Sequence, residues 1–91
     1  MTLNPDDPDP LFEQLAELLR EQIATGKLRP RQKLMTQEQM ADHYAVSRGT
    51  ILRATNALTE EGLIRWSKGK GLFTADADVI ERWKRARSKK R

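Results

Sequence analysis

The sequence predicts a mainly α-helical fold with one small β-hairpin: a winged helix-turn-helix of three helices plus a wing, followed by a short C-terminal helix. Three observations carry this. Apolar residues recur at three-four spacing in three capped segments, and the second and third segments are only a few residues apart. Two short strand-like runs then flank a glycine-rich, basic tip at Ser67-Lys68-Gly69-Lys70-Gly71. The length of 91 residues leaves room for one core, and the chain carries no internal repeat.

Residues 1–9 read as an extended acidic arm, because the prolines of Asn4-Pro5-Asp6-Asp7-Pro8-Asp9 remove amide donors and push the preceding residues out of the helical region. Asp9 as N-cap and Pro10 as first helical residue open the first helix. Its inner face is Leu11, Phe12, Leu15, Leu18, Leu19, Gln22 and Ile23, and Gly26 stops it. After Lys33-Leu34-Met35, the spacing of Thr36-Gln37-Glu38-Gln39 is that of a capping box, which starts the second helix. Tyr44-Ala45-Val46 breaks that helix, and Ser47 caps a third expected over about 48 to 61 with Gly62 at its exit. Ala41 lets the two helices approach, and Met40, Val46, Ile51 and Ala54 supply their shared core.

Leu63-Ile64-Arg65-Trp66 and Leu72-Phe73-Thr74 are the hairpin strands, completing a winged unit over residues 10–75. Residues 76–91 are expected to form a short helix and a basic tail. Asp78 caps that helix with Glu81 in the capping-box position, and Val79, Ile80, Trp83 and Ala86 share a face. That face serves either dimerisation or a return onto the first helix. The run from Arg85 to Arg91 is expected in solvent. Trp66 and Trp83 read as packing residues.

Charge rises along the chain: residues 1–10 hold three acids, residues 11–75 ten basic and seven acidic groups, and residues 76–91 seven basic and three acidic groups. With a pI near 9.8, this is the electrostatic footprint of a nucleic-acid binder. The absence of cysteine excludes a disulfide framework and a thiolate metal site, and His43, the single histidine, has no acidic cluster beside it. No cofactor or metal is expected. Gly69-Lys70-Gly71 lacks the spacing of a phosphate-binding loop, and no nucleophile, base and orienting acid assemble, so the chain does not read as an enzyme. There is no apolar run of about 18 residues, and Asp6, Asp7 and Asp9 stand where a signal peptide would be basic. The expectation is a cytoplasmic, nucleoid-associated protein with no membrane partner.

Four fragments in order resemble the N-terminal winged-helix domain of the GntR family of bacterial transcription regulators over residues 10–74. Pro10-Leu11-Phe12-Glu13-Gln14-Leu15 is similar to that family's Pro-Leu-Tyr-x-Gln-Ile, and Tyr44-Ala45-Val46-Ser47-Arg48-Gly49-Thr50-Ile51 to its Tyr-Gly-Val-Ser-Arg-x-Thr-Val. Glu61-Gly62-Leu63-Ile64 resembles its helix exit and Gly69-Lys70-Gly71-Leu72-Phe73 its Gly-x-Gly-Thr-Phe wing. Two departures bear on contacts: a usual arginine is Glu38 here, and Leu52 precedes Arg53 where arginine often follows the Thr-Val pair. Family members continue into a C-terminal domain that binds an effector and dimerises. Here about seventeen residues follow the wing, so no small-molecule effector site is expected in this chain.

The resemblance implies a sequence-specific transcription regulator, a repressor by family habit, bound to double-stranded DNA at an inverted-repeat operator as a possible homodimer. The third helix is then the reader of the major groove. With Ile51, Ala54 and Leu58 inward, a turn of about 100° per residue puts Gly49, Arg53 and Asn56 outward and Arg48, Thr50 and Leu52 on the flanks. These six are the base-reading candidates, Arg48 foremost, because guanidinium pairs bidentately with guanine. Thr36, Gln37, Ser47 and Lys33 are phosphate candidates, positioning rather than specifying. In the wing, Gly69 suits a turn of positive φ and a close approach to the minor groove, with Lys68 and Lys70 meeting phosphates or groove edges. The alternative from another class is a winged-helix protein–protein interaction module, against which the cations on both reader helix and wing argue.

Overall fold

Helix α1 (Leu11–Thr25) follows from Leu15, Leu18, Leu19 and Ile23, which the helical period stacks on one face and which are all buried. The computed structural model describes Leu3 and residues 10–89. The expected arm and the Asp9 cap therefore lie outside the described residues, except that Leu3 packs half-buried against the core. Pro10 is the N-cap and not the first helical residue: its ψ is 150°, and its carbonyl accepts from the Glu13 amide at 3.0 Å and the Gln14 amide at 3.1 Å. The pyrrolidine ring sets φ, which suits either position, but leaves ψ free, and ψ decides the boundary.

Helix α2 (Gln37–Tyr44) starts with the capping box that its sequence spacing implies. Thr36 Oγ1 accepts from the Gln39 amide at 3.1 Å, and Gln39 Oε1 accepts from the Thr36 amide at 2.9 Å. It ends where Ala45 turns left-handed, with φ of 56°, and the Ala45 and Val46 amides both donate to the Ala41 carbonyl. Ser47 then caps α3 (Arg48–Glu60), its Oγ accepting from the Thr50 amide at 3.1 Å. α3 packs along α1 and across α2, so Leu15, Met40, Ile51, Ala54 and Leu58 meet in one core with almost no exposure. Thr55 is buried there too, but its hydroxyl donates back to the Ile51 carbonyl at 2.9 Å and leaves no polar group unpaired.

Strands β1 (Ile64–Ser67) and β2 (Gly71–Thr74) pair antiparallel, Ile64 opposite Thr74 and Ser67 opposite Gly71. A third backbone segment completes the sheet edge. The Leu34 amide donates to the Leu72 carbonyl at 2.8 Å, the Thr74 amide to the Gln32 carbonyl at 2.9 Å and the Arg31 amide to the Ala75 carbonyl at 3.1 Å, around a single bridge between Lys33 and Phe73. Thr74 is the polar hinge of this joint. Its buried Oγ1 accepts from the Gln32 amide at 2.8 Å and donates to the Arg29 carbonyl, so the link between α1 and α2 is tied to the wing's second strand.

Helix α4 (Ala77–Lys89) starts earlier than expected. The Ile80 amide donates to the Asp76 carbonyl at 3.0 Å, and Asp78 lies inside the first turn, not at the cap. The sheet dictates this, because the Ala75 amide is held by the Leu63 carbonyl at 2.8 Å, leaving Asp76 as the last residue outside the helix. Ile80 is buried and Val79 and Trp83 are half-buried, so the apolar face returns onto α1, whereas Ala86 is exposed. The basic run is helical through Lys89 and is not a free tail. Arg87 pairs with Glu17 and Glu21 of α1 and lies 5.2 Å from the Trp83 ring centre, while Lys90 and Arg91 fall outside the described residues. Nearby, Arg20 donates from Nε to Glu61 Oε1 at 2.9 Å, clamping α1 to the end of α3. The hydrogen bond that Arg20 donates to Glu61 holds its guanidinium above the ordinary arginine range, against the opposing effect of burial.

Candidate nucleic-acid interface

The N-terminal half of α3 projects because its inner residues alternate with an outer set at helical spacing. Arg48, Gly49, Leu52, Arg53 and Asn56 are all exposed, and Thr50 is half-buried. Two grooves flank this ridge and divide the candidates between them. On one side, Arg48 shares a groove of about 300 Å³ with Lys33, Thr36 and Gln37 at the start of α2 and with Trp66 and Lys70 of the hairpin. On the other, Gly49, Thr50 and Arg53 line a groove with Pro10 and Phe12 of α1. The structure thus brings Arg48, Lys33, Thr36, Gln37 and Lys70 together, and sets Gly49, Thr50 and Arg53 apart from them across the ridge.

Local geometry assigns several of these side chains a partner already. The Arg53 guanidinium lies 5.6 Å from the centre of the Phe12 ring, a cation–π approach that holds it against α1. Ser47 Oγ and Thr50 Oγ1 share a hydrogen bond at 3.1 Å, so both hydroxyls are engaged in the α3 cap. Thr36 likewise spends its hydroxyl on the Gln39 amide, yet stays exposed. Leu52 is 47% exposed, so nearly half of this apolar side chain is open to solvent on the outer face of α3. His43 is exposed at the far end of α2, its ring edge-on to Tyr44 at 4.7 Å.

In the wing, Lys68, Gly69 and Lys70 form the turn, closed by the Lys70 amide donating to the Ser67 carbonyl at 2.9 Å. Gly69 has φ of 78° and Gly71 φ of 111°, both of which disfavour any side chain. At Gly71 a Cβ would meet Lys33 Cε at an ordinary 3.5 Å, so conformation, not space, requires glycine there. The same contact shows the Lys33 stem running along β2 from its bridge with Phe73 toward the turn.

Sequence reasoning placed Trp66 among the packing residues, and the structure reverses this: it is 65% exposed. By strand alternation Trp66 lies on the same side as buried Ile64, and it pairs across the ladder with buried Leu72. The hairpin outruns the core, however, and the indole stands beyond its edge. A signal was present in the sequence, since Trp66 is only two residues from the turn of a four-residue strand. Arg65, also exposed, lies with Arg31 in a second groove along the hairpin, which Trp66 and Lys70 line as well. Among the described residues no cluster of three or more histidine, cysteine or acidic residues could hold a metal, and no helix is long and apolar enough to cross a membrane.

Comparison with known proteins accords with this geometry. The family model of bacterial regulatory proteins of the gntR family matches residues 11–74. The HTH-type transcriptional repressor NagR of Bacillus subtilis is 35% identical over 75 residues, covering 82% of this chain and 31% of that protein. The mannosyl-D-glycerate transport/metabolism system repressor MngR of Escherichia coli is 34% identical over 70 residues, covering 77% of this chain and 29% of that protein. The chain therefore spans under a third of the length of these relatives. Among solved structures, a GntR family transcriptional regulator from Listeria monocytogenes superposes with a TM-score of 0.84 at 28% identity, covering 92% of this chain and 75% of the other. AraR(DBD) in complex with operator ORX1 superposes with a TM-score of 0.74 at 31% identity, covering 82% and 93%.

Proposed function

The chain belongs to the gntR family of bacterial regulatory proteins, and on that premise we propose that it is a sequence-specific binder of double-stranded DNA that regulates transcription from the nucleoid. One observation carries the reading. The exposed Arg48 edge of α3 faces the same groove as Lys33, the α2 N-terminus and Lys70, so a helix of major-groove dimensions is bracketed by cations from two other elements. In this reading Arg48 pairs with a guanine edge, Leu52 meets a thymine methyl, and Gly49 and Asn56 lie along the base edges. Arg53, held by Phe12, and Thr50 contact the strand nearer α1. Lys33, Thr36, Gln37 and Ser47 set the register on phosphates, and Lys68, Gly69 and Lys70 enter the adjacent minor groove. Action as a repressor fits relatives named as repressors, and the same proposal has two copies of the chain on an inverted repeat.

The test is selection of bound duplexes from a random pool, followed by titration of the selected duplex at several salt concentrations. Three to five phosphate contacts give a slope of log affinity on log salt of about −3 to −4.5. A flat dependence removes the electrostatic part. Arg48→Ala weakens the selected duplex by about 1–3 kcal/mol and leaves a mixed-sequence duplex nearly unchanged. Equal losses on both duplexes demote Arg48 from a base contact to a phosphate contact.

A further inference from the structure

We propose that Trp66 is a DNA-backbone contact, its indole seating a deoxyribose of the strand that runs between the wing and α2, and this rests on the DNA-binding reading above. Of the three large apolar side chains left exposed among the described residues, Met35, Leu52 and Trp66, Trp66 is the most exposed at 65% and the largest. An indole ordinarily hides roughly 150–250 Å² of surface, so one this open at the rim of a groove is unexplained by the fold.

Its surroundings narrow the occupant. Trp66 and Met35 supply the apolar part of the groove, and Lys33, Lys70 and Arg48 supply three cations against the single acid Glu38. A free phosphate has no use for the indole, and an apolar peptide has no use for three cations. A sugar-phosphate strand has both faces, with anionic phosphates separated by largely apolar sugars. The placement also fits, since Trp66 lies on the hairpin between its Gly69 tip and its base, beside the exposed Arg48 end of α3. Such a contact carries no base sequence and acts equally on any duplex, which separates it from Arg48.

The experiment uses the full chain with Trp83→Phe, so that Trp66 is the only tryptophan, and reads its emission while labelled duplexes are titrated by anisotropy in low salt. Both the selected duplex and a mixed-sequence duplex are expected to shift the emission and to shield it from iodide, in step with binding. In the parent background Trp66→Ala is expected to weaken both duplexes alike, by roughly fivefold to tenfold for a partly covered indole, while Trp66→Phe keeps most of the affinity. The thermal midpoint and circular dichroism stay at parent values, because the side chain is largely outside the core. Parent-like affinity of Trp66→Ala for both duplexes overturns the proposal, as does emission that stays still at saturation. A loss confined to the selected duplex also overturns it, because a base contact has then been found. If sedimentation shows that Trp66→Ala dissociates a dimer with no change in DNA affinity, the occupant is a second copy of the chain and the proposal fails. Should the parent bind neither duplex, the functional reading falls together with it.

Discussion

Replacing Ala45 with glycine should stabilise the protein. Ala45 occupies the turn between α2 and α3 with φ of 56°, a left-handed conformation in which its Cβ crowds the following carbonyl. That crowding costs an L-residue roughly 1–2 kcal/mol. Relief is partly offset, because glycine enlarges the unfolded ensemble and forfeits about 0.4–1 kcal/mol. The side chain is exposed, so no core contact is lost, and both backbone bonds to the Ala41 carbonyl survive the change. The net gain is about 0.5–1 kcal/mol, which in a domain of this size raises Tm by about 3–6 °C. Calorimetry or thermal circular dichroism reads it. An internal control sharpens the sign: Ala57→Gly, in the regular interior of α3, should lower stability by about 1 kcal/mol. An unchanged or lowered Tm for Ala45→Gly, or the same sign at both sites, refutes the argument from backbone strain.

Two other perturbations probe the joints that hold the interface. Thr74→Val keeps shape but removes the hydroxyl that bridges the Gln32 amide and the Arg29 carbonyl, and urea unfolding should show a loss of about 1–3 kcal/mol; a loss within error would mean those groups find water instead. Glu61→Ala leaves Arg20 with only Glu17 of its two acid partners. The pair is partly exposed, so the expected loss is about 1 kcal/mol at low salt and smaller in high salt, measured by denaturant midpoint; salt-independent loss would point to packing instead of charge.

Features that depend on a few consecutive residues were legible in the sequence. The Thr36 capping box, the Ser47 cap, the apolar stripe from Leu15 to Ile23, and the hairpin turning at Gly69 all rest on bonds or contacts spanning a few residues, and all formed as read. So did the outward set on α3, since the helical period fixes it once Ile51, Ala54 and Leu58 are known to face in. What misled was local reasoning applied to distant partners. Asp78 looks like a cap, but the bond from the Ala75 amide to the Leu63 carbonyl sets where α4 begins. Trp66 and Ala86 look like core, but one stands where the hairpin leaves the core and the other beyond the contact with α1.

The sequence by itself determined the order of elements, their caps and the faces they present, because those follow from bonds and periodicities within about four residues. Only the tertiary structure decided which exposed residues share a groove. Arg48, Lys33, Lys70 and Trp66 come from three separate segments, and their meeting depends on the Gln32–Leu34 segment pairing with β2 and carrying Lys33 alongside Gly71 near the turn. No local pattern encodes that pairing, because its bonds join residues some forty positions apart.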